Sequence, residues 1–513
     1  MGQARYAGPV AFLAGAAVMV AEVGIVRLAA PVLGASQPVW ATVVAAVLLG
    51  LALGNALGGA WAAGGPDART KRLASLLLLA GGAGLGALPF VLAPALGLVA
   101  QKGAAGPVAA LLLLGVAAAL PVFPLGALTP LVVRAASERL EDVGPATGRL
   151  QALSTAGALA GTLGSTFLLT PALGSTRTFA ATGAALVLAG AMLGGGRSRA
   201  LALLGAAFFL PPSVPARPGE TLLAHVESPY ATWDVTRDER GVVRLLADDG
   251  STVQSYLDPR GELQGGSWPL LAAAPLLAGK GPKDPSRVAL VGLAGGTVAR
   301  EIALAFPGAR ITAFEIDPAA LALARAEFDL PRERLLVETR DGRLGLRDSG
   351  GGFDAIVLDA YRTAYVPPHL VSREFLELAK ARLAPGGVVL MNLLSAKRWR
   401  PLGGSATCAD EGPLVNACAA TARSVFGRVY LLDARNGLNT ILVATDRPLD
   451  PVELARAPAS LEATRPSLAR YLATSLPGLH EAPVTGDSVL TDDCSPVEWL
   501  SHRLAIERLA GKP

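Results

Sequence analysis

Long apolar runs fill the first 215 residues of this chain, and they constrain its fold more than any other feature. A helix needs about 20 apolar residues to cross a hydrocarbon core about 30 Å thick. We therefore predict a bundle of membrane-spanning helices over residues 1–215, with spans near residues 8–30, 39–61, 73–96, 107–133, 150–169 and 178–193. A seventh run, residues 200–212, is shorter and ends in Pro211 and Pro212, so the sequence leaves six or seven spans open.

The basic residues between these runs indicate an orientation. One side would carry Arg5, Arg69, Lys71, Arg72, Arg134, Arg139, Arg149, Arg197 and Arg199, and the other only Lys102 and Arg177. Short cytoplasmic loops are enriched in Lys and Arg, which places the N-terminus in the cytoplasm. Six spans would return the rest of the chain to the cytoplasm, whereas seven would place it outside. We expect a multi-pass protein of the cell inner membrane with its soluble part in the cytoplasm, because the ligand inferred below is a cytosolic metabolite.

Three features inside the apolar region bear on packing and on transport. Gly50, Gly54 and Gly58 recur every four residues, a spacing that lets helices approach closely in lipid. The prolines of residues 121–130 predict a kinked or broken helix, as transporters use for binding sites. Glu22 and Arg27 lie within the first span, where charged groups are costly and mark either a contact between helices or a transport path.

Composition changes after residue 219. The chain as a whole is 51% hydrophobic and 17% charged, but Asp, Glu, Lys and Arg are concentrated in the second part. The net charge of +4 and the lack of a Lys/Arg block with interleaved aromatics argue against a nucleic-acid partner. Four scattered His and three Cys form no ligand cluster, so we predict no metal site.

The second part predicts a small β-meander followed by a doubly wound α/β domain. Short alternating segments at 225–230, 233–237 and 242–247 indicate the meander, which we assign to residues 219–275. Strands and helices then alternate over residues 276–513, as in a Rossmann-like, mainly parallel sheet. The strands fall at 288–292, 310–315, 335–339, 353–359 and 388–392, and the helices at 297–305, 318–328 and 372–383.

Candidate ligand-binding residues follow the ends of these strands, where open α/β sheets bind their ligands. A Gly-rich turn at residues 292–296 would let the backbone approach a ligand, and the next helix offers free N–H groups. Glu315 ends the second strand, where an acid accepts hydrogen bonds from ribose hydroxyls. Asp341 closes the third strand, where a carboxylate could bind an adenine amino group. These candidates are Gly292, Gly295, Gly296, Glu315, Asp341 and Gly342.

The order and spacing of these residues resemble the S-adenosylmethionine methyltransferase-type fold and, more closely, the membrane-fused spermidine synthase-like (polyamine aminopropyltransferase) family. The resemblance covers nearly the whole chain and is most specific in the second part. It is carried by residues 227–230, 249–250 with Gln254, 292–301, 315–317, 341–342, 358–359, 366–370, 383–387 and 491–498.

The resemblance implies a transferase of polyamine biosynthesis. Its co-substrate would be decarboxylated S-adenosylmethionine, with no permanently bound cofactor, and its acceptor an amine such as putrescine. Glu315 would hold the ribose, Asp341 the adenine and the Gly-rich turn the region near the sulfur. Asp359 matches the catalytic aspartate of the family. Tyr230, Gln254 and Tyr361 match positions near the amine, and soluble domains of this family form homodimers.

Two departures from the family leave other functions open. Gly295 and Arg362 stand where the family carries acids, and Asp492 and Asp493 are candidates to compensate for them. Tyr361, Tyr365 and His369 would lie in a lid, with His369 acting as a structural cap rather than a catalyst. The alternatives are an S-adenosylmethionine-dependent methyltransferase acting on a membrane-associated substrate, and a non-catalytic nucleoside or polyamine sensor or transporter.

Overall fold

A computed structural model describes residues 6–33, 37–63, 68–100, 106–137, 139–194, 219–247, 252–361, 366–395, 412–435, 437–497 and 500. The chain divides into two compact units. The first contains Met1–Pro215 and Glu227–Pro229, and the second contains Ala216–Val226 and Tyr230–Pro513. The predicted β-meander and α/β domain thus belong to one unit, and a boundary at residue 275 stays a prediction.

Long apolar helices make up the described part of the first unit. They are α1 (Ala7–Leu33), α2 (Gln37–Ala62), α3 (Ala68–Ala100), α4 (Gly106–Ala136), α5 (Val143–Gly164), α6 (Thr170–Leu173) and α7 (Ser175–Gly194). A π-helical turn, Ser165–Leu169, joins α5 to α6 in one helical segment. Within the described residues, six helical segments are long and apolar enough to cross a membrane. The seventh predicted run, residues 200–212, lies outside the described residues.

Three glycines of α2 allow the backbones of α2 and α4 to pack directly against each other. A Cβ added to Gly50 would lie 2.8 Å from the carbonyl oxygen of Ala119, and one on Gly54 only 2.3 Å from that of Phe123. The Cβ position of Gly58 is likewise 2.3 Å from a carbonyl oxygen of α4. Real Cβ atoms do not approach backbone oxygen this closely. The predicted close packing through small residues is therefore present, and it depends on the absence of side chains at these positions.

Replacing Gly54 by valine should destabilise the first unit, because the new side chain would overlap the carbonyl oxygen of Phe123 on α4. Overpacking of this kind costs about 1–3 kcal/mol. We expect a lower melting temperature for the detergent-purified protein, followed by the loss of monodisperse material on heating. Gly59→Val is the matched control, since no atom lies within 4 Å of a Cβ at that position of the same helix. Equal melting temperatures for the two variants would contradict the packing.

The proline segment of residues 121–130 does not break its helix. The sequence predicts a kinked or broken helix. Helix α4 runs through Pro121, Pro124 and Pro130 without interruption, so the break is wrong and the kink stays a prediction. Proline removes one backbone hydrogen bond, and in membrane bundles neighbouring helices and local adjustments compensate for that loss. A continuous α4 gives no support to a transport site formed by a break at this segment.

Arg27 is paired, but not with Glu22. Its guanidinium donates to the carbonyl oxygen of Ser228 at 2.6 Å and lies 4.0 Å from the Glu227 carboxylate, both within the first unit. Glu227 also accepts from the N–H and the hydroxyl of Ser175 at the start of α7, each at 2.7 Å. The charge of Arg27 is thus neutralised by a structural contact, which favours the structural interpretation of this residue.

The second unit begins with a four-stranded sheet in the order β1-β2-β3-β4, of which only the last residue of β1, Glu227, belongs to the first unit. Its strands are β1 (Glu220–Glu227), β2 (Thr232–Asp238), β3 (Val243–Ala247) and β4 (Thr252–Leu257). The β2–β3 and β3–β4 pairs are antiparallel, as a meander requires. Residues 248–251, between β3 and β4, lie outside the described residues.

An eight-stranded mixed sheet follows, in the order β12-β10-β11-β9-β8-β5-β6-β7. Its strands are β5 (Ser286–Val291), β6 (Ala309–Glu315), β7 (Leu335–Thr339), β8 (Phe353–Leu358), β9 (Leu383–Leu394), β10 (Arg428–Asp433), β11 (Asn439–Thr445) and β12 (His480–Glu481). The pairs among β5 to β9 are parallel, whereas β11 is antiparallel to β9 and to β10. The chain winds outward from β5 in both directions, so the ligand-binding edge of the sheet lies at the end of β5.

Helices cover this sheet. They are α8 (Trp268–Leu271), α9 (Ala274–Leu277), α10 (Thr297–Ala305), α11 (Pro318–Glu327), α12 (Gly342–Asp348), α13 (Arg373–Arg382), α14 (Pro413–Arg423), α15 (Pro451–Arg456) and α16 (Pro466–Ser475). Alternate residues of the central strands enter two separate apolar clusters, with Val288 and Leu290 in one and Ala289 and Val291 in the other. Burial on both faces explains why these strands are continuous apolar runs in the sequence.

Candidate active site

The Gly-rich turn connects β5 to α10 at the centre of the sheet. Gly292 has φ +92°, and a Cβ there would lie 2.5 Å from the carbonyl oxygen of Asp359. Gly296 has φ +82° and precedes the first residue of α10. Both positions therefore require glycine, the first for close approach to the end of β8 and the second for the backbone turn into the helix.

Strand β4 holds this turn in place. The N–H of Gly295 donates to the hydroxyl of Ser255 at 2.9 Å, and the hydroxyl of Thr297 bonds both the N–H and the carbonyl of Tyr256. A Cβ at Gly295 would lie 2.6 Å from the Cβ of Ser255. The turn and the strand are thus matched in shape. An aspartate at Gly295, as in the family pattern, would require Ser255 to move.

Glu315, at the end of β6, is buried and faces the Gly-rich turn. One carboxylate oxygen accepts from the N–H groups of Leu293 and Ala294 at 3.0 and 2.9 Å, and the other accepts from the N–H of Asp317 at 2.9 Å. A carboxylate offers about four acceptor positions, so capacity remains for a ligand hydroxyl. Asp317, also buried, accepts from the indole N–H of Trp233 at 2.6 Å.

Asp341 combines a capping role with a place at the site. One oxygen accepts from the N–H of Leu344 at 3.0 Å and caps α12, and the other lies 3.0 Å from Nε2 of His369. Burial acts to raise the pKa of Asp341, but these bonds outweigh it and hold that pKa below its ordinary value. A Cβ at the following residue, Gly342, would lie 2.4 Å from Cγ1 of Val291, which explains the glycine there.

Asp359, the predicted catalytic residue, follows β8 and is half-buried. Nδ2 of Asn392 donates to its Oδ1 at 2.7 Å, and Trp268 interacts with the same carboxylate. Burial raises the pKa of Asp359 to about 6, and the interactions with Asn392 and Trp268 only partly oppose this rise. A carboxylate with a pKa of about 6 is ionised at neutral pH and can accept a proton.

These side chains surround one cavity of about 300 Å³, which we call the acidic cavity. Its described lining includes four carboxylates and no Lys or Arg. Such a cavity attracts cations. The lining residues are Tyr230, Trp233, Gln254, Val291, Gly292, Leu293, Ala294, Phe314, Glu315, Ile316, Asp317, Asp341, Gly342, Asp359, Ala360, Tyr361, Pro367, His369 and Leu370.

Most residues predicted from the sequence meet in this cavity. Gly295 and Gly296 do not line it, but they shape the turn that does. The hydroxyl of Tyr361 is buried and has no hydrogen-bond partner among the described residues, so a bound ligand could supply one. Arg362 and Tyr365 lie outside the described residues.

Asp492 and Asp493, the two acids expected to compensate for Arg362, do not line the acidic cavity. Asp492 receives both guanidinium nitrogens of Arg343 at 2.7 Å and the hydroxyl of Ser372 at 2.6 Å. The bond from Arg343 is the main cause that lowers the pKa of Asp492 to about 2. Asp493 is exposed. Neither residue lines the acidic cavity, so the expectation that they replace the missing acid is not supported.

Three residues at the site were not predicted from the sequence: Asn392, Trp268 and Trp233. The sequence places Asn392 at the end of a predicted strand without a role, although a polar residue in an apolar strand beside the one carrying Asp359 is a usable signal. Trp268 offers no such signal, because its contact with Asp359 joins segments about 90 residues apart.

The strand order, the Gly-rich turn and the acids at the strand ends define a Rossmann-like transferase of the methyltransferase type. No protein-family model matches the sequence. The chain is 30% identical over 297 residues to the polyamine aminopropyltransferase of Vibrio vulnificus, covering 55% of this chain and 92% of that protein. The chain therefore belongs to the polyamine aminopropyltransferase family.

Two other proteins show a partial likeness. The human eEF1A lysine and N-terminal methyltransferase is 28% identical over 220 residues, covering 40% of this chain and 29% of that protein. The crystal structure of a probable spermidine synthase from Corynebacterium glutamicum superposes with a TM-score of 0.39 at 19% identity, covering 52% of this chain and 98% of that one.

Proposed function

We propose that this protein transfers an aminopropyl group from decarboxylated S-adenosylmethionine to an amine such as putrescine, while its helical unit anchors it in the cell inner membrane. The observation that carries the proposal is Asp359, a half-buried carboxylate with a raised pKa in a cavity whose described lining is acidic. Both proposed substrates are cations, which such a cavity would concentrate. The soluble unit would face the cytoplasm, where both substrates are made.

The chemistry requires removal of one proton. An alkylamine with a pKa of about 10 is protonated at neutral pH and cannot attack. Asp359 would accept that proton, and the amine nitrogen would attack the CH₂ group bonded to the sulfonium. A C–N bond forms, the C–S bond breaks, and its electron pair passes to sulfur, leaving a neutral thioether. Asp359 also orients the nitrogen toward this carbon, which adds the benefit of proximity.

The nucleoside would lie across the Gly-rich turn. Glu315 keeps an acceptor position for a ribose hydroxyl beyond its three backbone bonds. Asp341, held by Leu344 and His369, lies in the same lining and could accept from the adenine amino group. Tyr230, Gln254 and Tyr361 line the cavity with Asp359 and would contact the amine.

The rate should depend on pH through Asp359. Because its pKa is about 6, the carboxylate is protonated below that pH and cannot accept the proton of the amine. We expect kcat/KM to fall about tenfold per pH unit below about 6 and to level off above it. The pH profile of aminopropyl transfer, measured between about pH 5 and pH 8 on either side of that pKa, tests this. A profile that stays flat across the whole acidic range would contradict the role of Asp359 as the base.

Calorimetry on the detergent-solubilised protein tests the proposed donor. Decarboxylated S-adenosylmethionine and S-adenosylmethionine would be titrated with and without putrescine. We expect tighter binding of the decarboxylated form, strengthened by putrescine. Tighter binding of the carboxylated donor, with no effect of putrescine, would refute aminopropyl transfer.

One observation favours methyl transfer as a second candidate function. Gly295 stands where the family carries an acid, and Ser255 fills the space that the acid would need. A methyl donor keeps its amino-acid carboxylate and has no need of an acid there. Under this alternative the acceptor would be a membrane-associated substrate, and the carboxylated donor would bind better in the same titration.

A further inference from the structure

An asparagine of the neighbouring strand holds the Asp359 carboxylate by a hydrogen bond. Asn392 lies on β9, which pairs in parallel with β8, so that Leu358 faces Met391 and the next residues are neighbours. Its Nδ2 donates to Oδ1 of Asp359 at 2.7 Å. Trp268, at the start of α8, interacts with the same carboxylate and acts to lower its pKa.

The amide of Asn392 is fully bonded. Its Nδ2 donates to Asp359 and, at 3.3 Å, to the hydroxyl of Ser267, while its Oδ1 accepts from Nδ2 of Asn439 at 2.9 Å. An amide turned by 180° would place its oxygen against the Asp359 carboxylate and its NH₂ against the NH₂ of Asn439. Only one orientation therefore satisfies all its partners.

The position of Asn439 follows from the sheet. Strand β11 is antiparallel to β9, with Ile441 opposite Asn392, so Asn439 is the diagonal neighbour two residues along. The residues flanking Asn392, Met391 and Leu393, are buried and apolar. A buried asparagine with three satisfied partners in such a strand needs a reason beyond packing, because its amide costs free energy unless every bond is made.

We propose that Asn392 is a positioning residue for the transfer reaction. It fixes the Asp359 carboxylate so that the remaining acceptor positions are directed to the acidic cavity, and the bond from Asn439 keeps the Asn392 amide in the orientation that donates to Asp359. The bond from Asn392 occupies one of about four acceptor positions of the carboxylate, so positions remain for the N–H groups of the attacking amine. The inference rests on the proposed function in that Asp359 receives the proton of the amine.

Two of the titratable groups near Asp359, Tyr361 and Cys418, carry no charge. Tyr361 lies near Asp359, and burial keeps the pKa of Tyr361 well above its ordinary value. The thiol of Cys418 on α14 lies near Tyr361, and burial raises the pKa of Cys418 to about 12. Both are therefore neutral at and below neutral pH. Glu315, Asp317, Asp341 and His369 line the same cavity.

Asn392→Ala tests the proposal. The loss of a hydrogen bond to a charged group should lower kcat about 10- to 100-fold. The affinity for decarboxylated S-adenosylmethionine should change less than about threefold, because Asn392 is absent from the described lining. The lost bond stabilises the ionised form, so the acidic limb of the pH profile should move up by about one pH unit. Asn416→Ala, at an equally buried asparagine of α14, is the control and should leave the limb in place.

A second measurement, the titration of the Asp359 carboxyl itself, does not require aminopropyl transfer. The carboxyl of Asp359 can be titrated by infrared difference spectroscopy against Asp359→Asn, and His369→Gln shows whether the imidazole contributes to the midpoint. Asn392→Ala should raise the midpoint. An unchanged midpoint would overturn the proposal, whatever happens to the rate. If the wild-type protein transferred no aminopropyl group, the proposed function would fail. A raised titration midpoint of Asp359 in Asn392→Ala would still support the inference that Asn392 holds the Asp359 carboxylate.

Discussion

Asp359→Asn should lower the rate of aminopropyl transfer about 10³-fold, the largest effect we expect from a single substitution. The asparagine keeps the shape of the side chain and can still accept from Asn392, but it cannot take the proton of the amine. Nucleoside affinity should stay nearly unchanged, because Glu315 and the Gly-rich turn are untouched. Single-turnover rates and calorimetry on the same preparation measure the two quantities.

The control for this variant is Asp493→Asn, at an exposed residue outside the described lining. It should transfer at the wild-type rate. If Asp359→Asn abolished nucleoside binding together with transfer, Asp359 would be a structural residue. If Asp359→Asn kept more than about a tenth of the wild-type rate, another group would have to be the base.

The same substitution should change how stability depends on pH. The pKa of Asp359 is raised from 3.8 to about 6 on folding, so the carboxyl stabilises the fold fully below about pH 4. That contribution is lost as the pH rises through about 6, because the ionised form is desolvated in the folded protein. The melting temperature of Asp359→Asn, relative to the wild type, should therefore rise between about pH 4 and pH 7. A constant difference over this range would contradict the raised pKa.

Glu315→Gln should weaken nucleoside binding about 10²- to 10³-fold and lower the melting temperature. The two oxygens of Glu315 accept three backbone N–H groups, from Leu293, Ala294 and Asp317. Glutamine has one oxygen and one NH₂ group, so in either orientation an NH₂ would face at least one backbone N–H. The Gly-rich turn would then lose its buried anchor. Calorimetric titration with decarboxylated S-adenosylmethionine and thermal unfolding measure the effects.

Glu338→Gln is the matched control, because Glu338 lies on the neighbouring strand β7, is only partly buried and contacts only the Arg340 side chain at 3.6 Å among its described ion pairs. Ion pairs open to solvent contribute about 0–1 kcal/mol, so this variant should bind and melt like the wild type. Wild-type affinity for Glu315→Gln would show that the nucleoside does not depend on this turn.

Much of this molecule can be predicted from sequence because the signals are local. An apolar run predicts a membrane span when it is long enough to cross a bilayer. The six longer apolar runs of the sequence correspond to the six long helical segments of the described first unit. The sequence predicts the helix at residues 297–305 and the strand at 335–339 with the bounds that the structure has. The acids at the strand ends come together because parallel strands begin and end at common edges of a sheet.

Predictions fail where neighbours distant in sequence decide the outcome. The three prolines predict a kinked or broken helix, and α4 is continuous through all three. Neighbouring helices can compensate for the backbone hydrogen bonds that prolines remove, which a local pattern does not show. The antiparallel strands β10 to β12 and the helices α14 to α16 escape prediction, because short elements that pack against a completed sheet carry weak periodic signals of their own.

Local sequence patterns were sufficient for the long apolar helices, the doubly wound order and the strand-end positions of Glu315, Asp341 and Asp359, since periodicity and turn chemistry are encoded over short stretches. Tertiary packing decides that Asn392 holds Asp359, and that Asp492 binds Arg343 and does not line the acidic cavity. It also places Ser255 in the space beside Gly295. These contacts join residues 33 to 149 positions apart in the sequence. They depend on strand register and on the packing of loops, which cannot be predicted from a pattern over a short stretch of sequence.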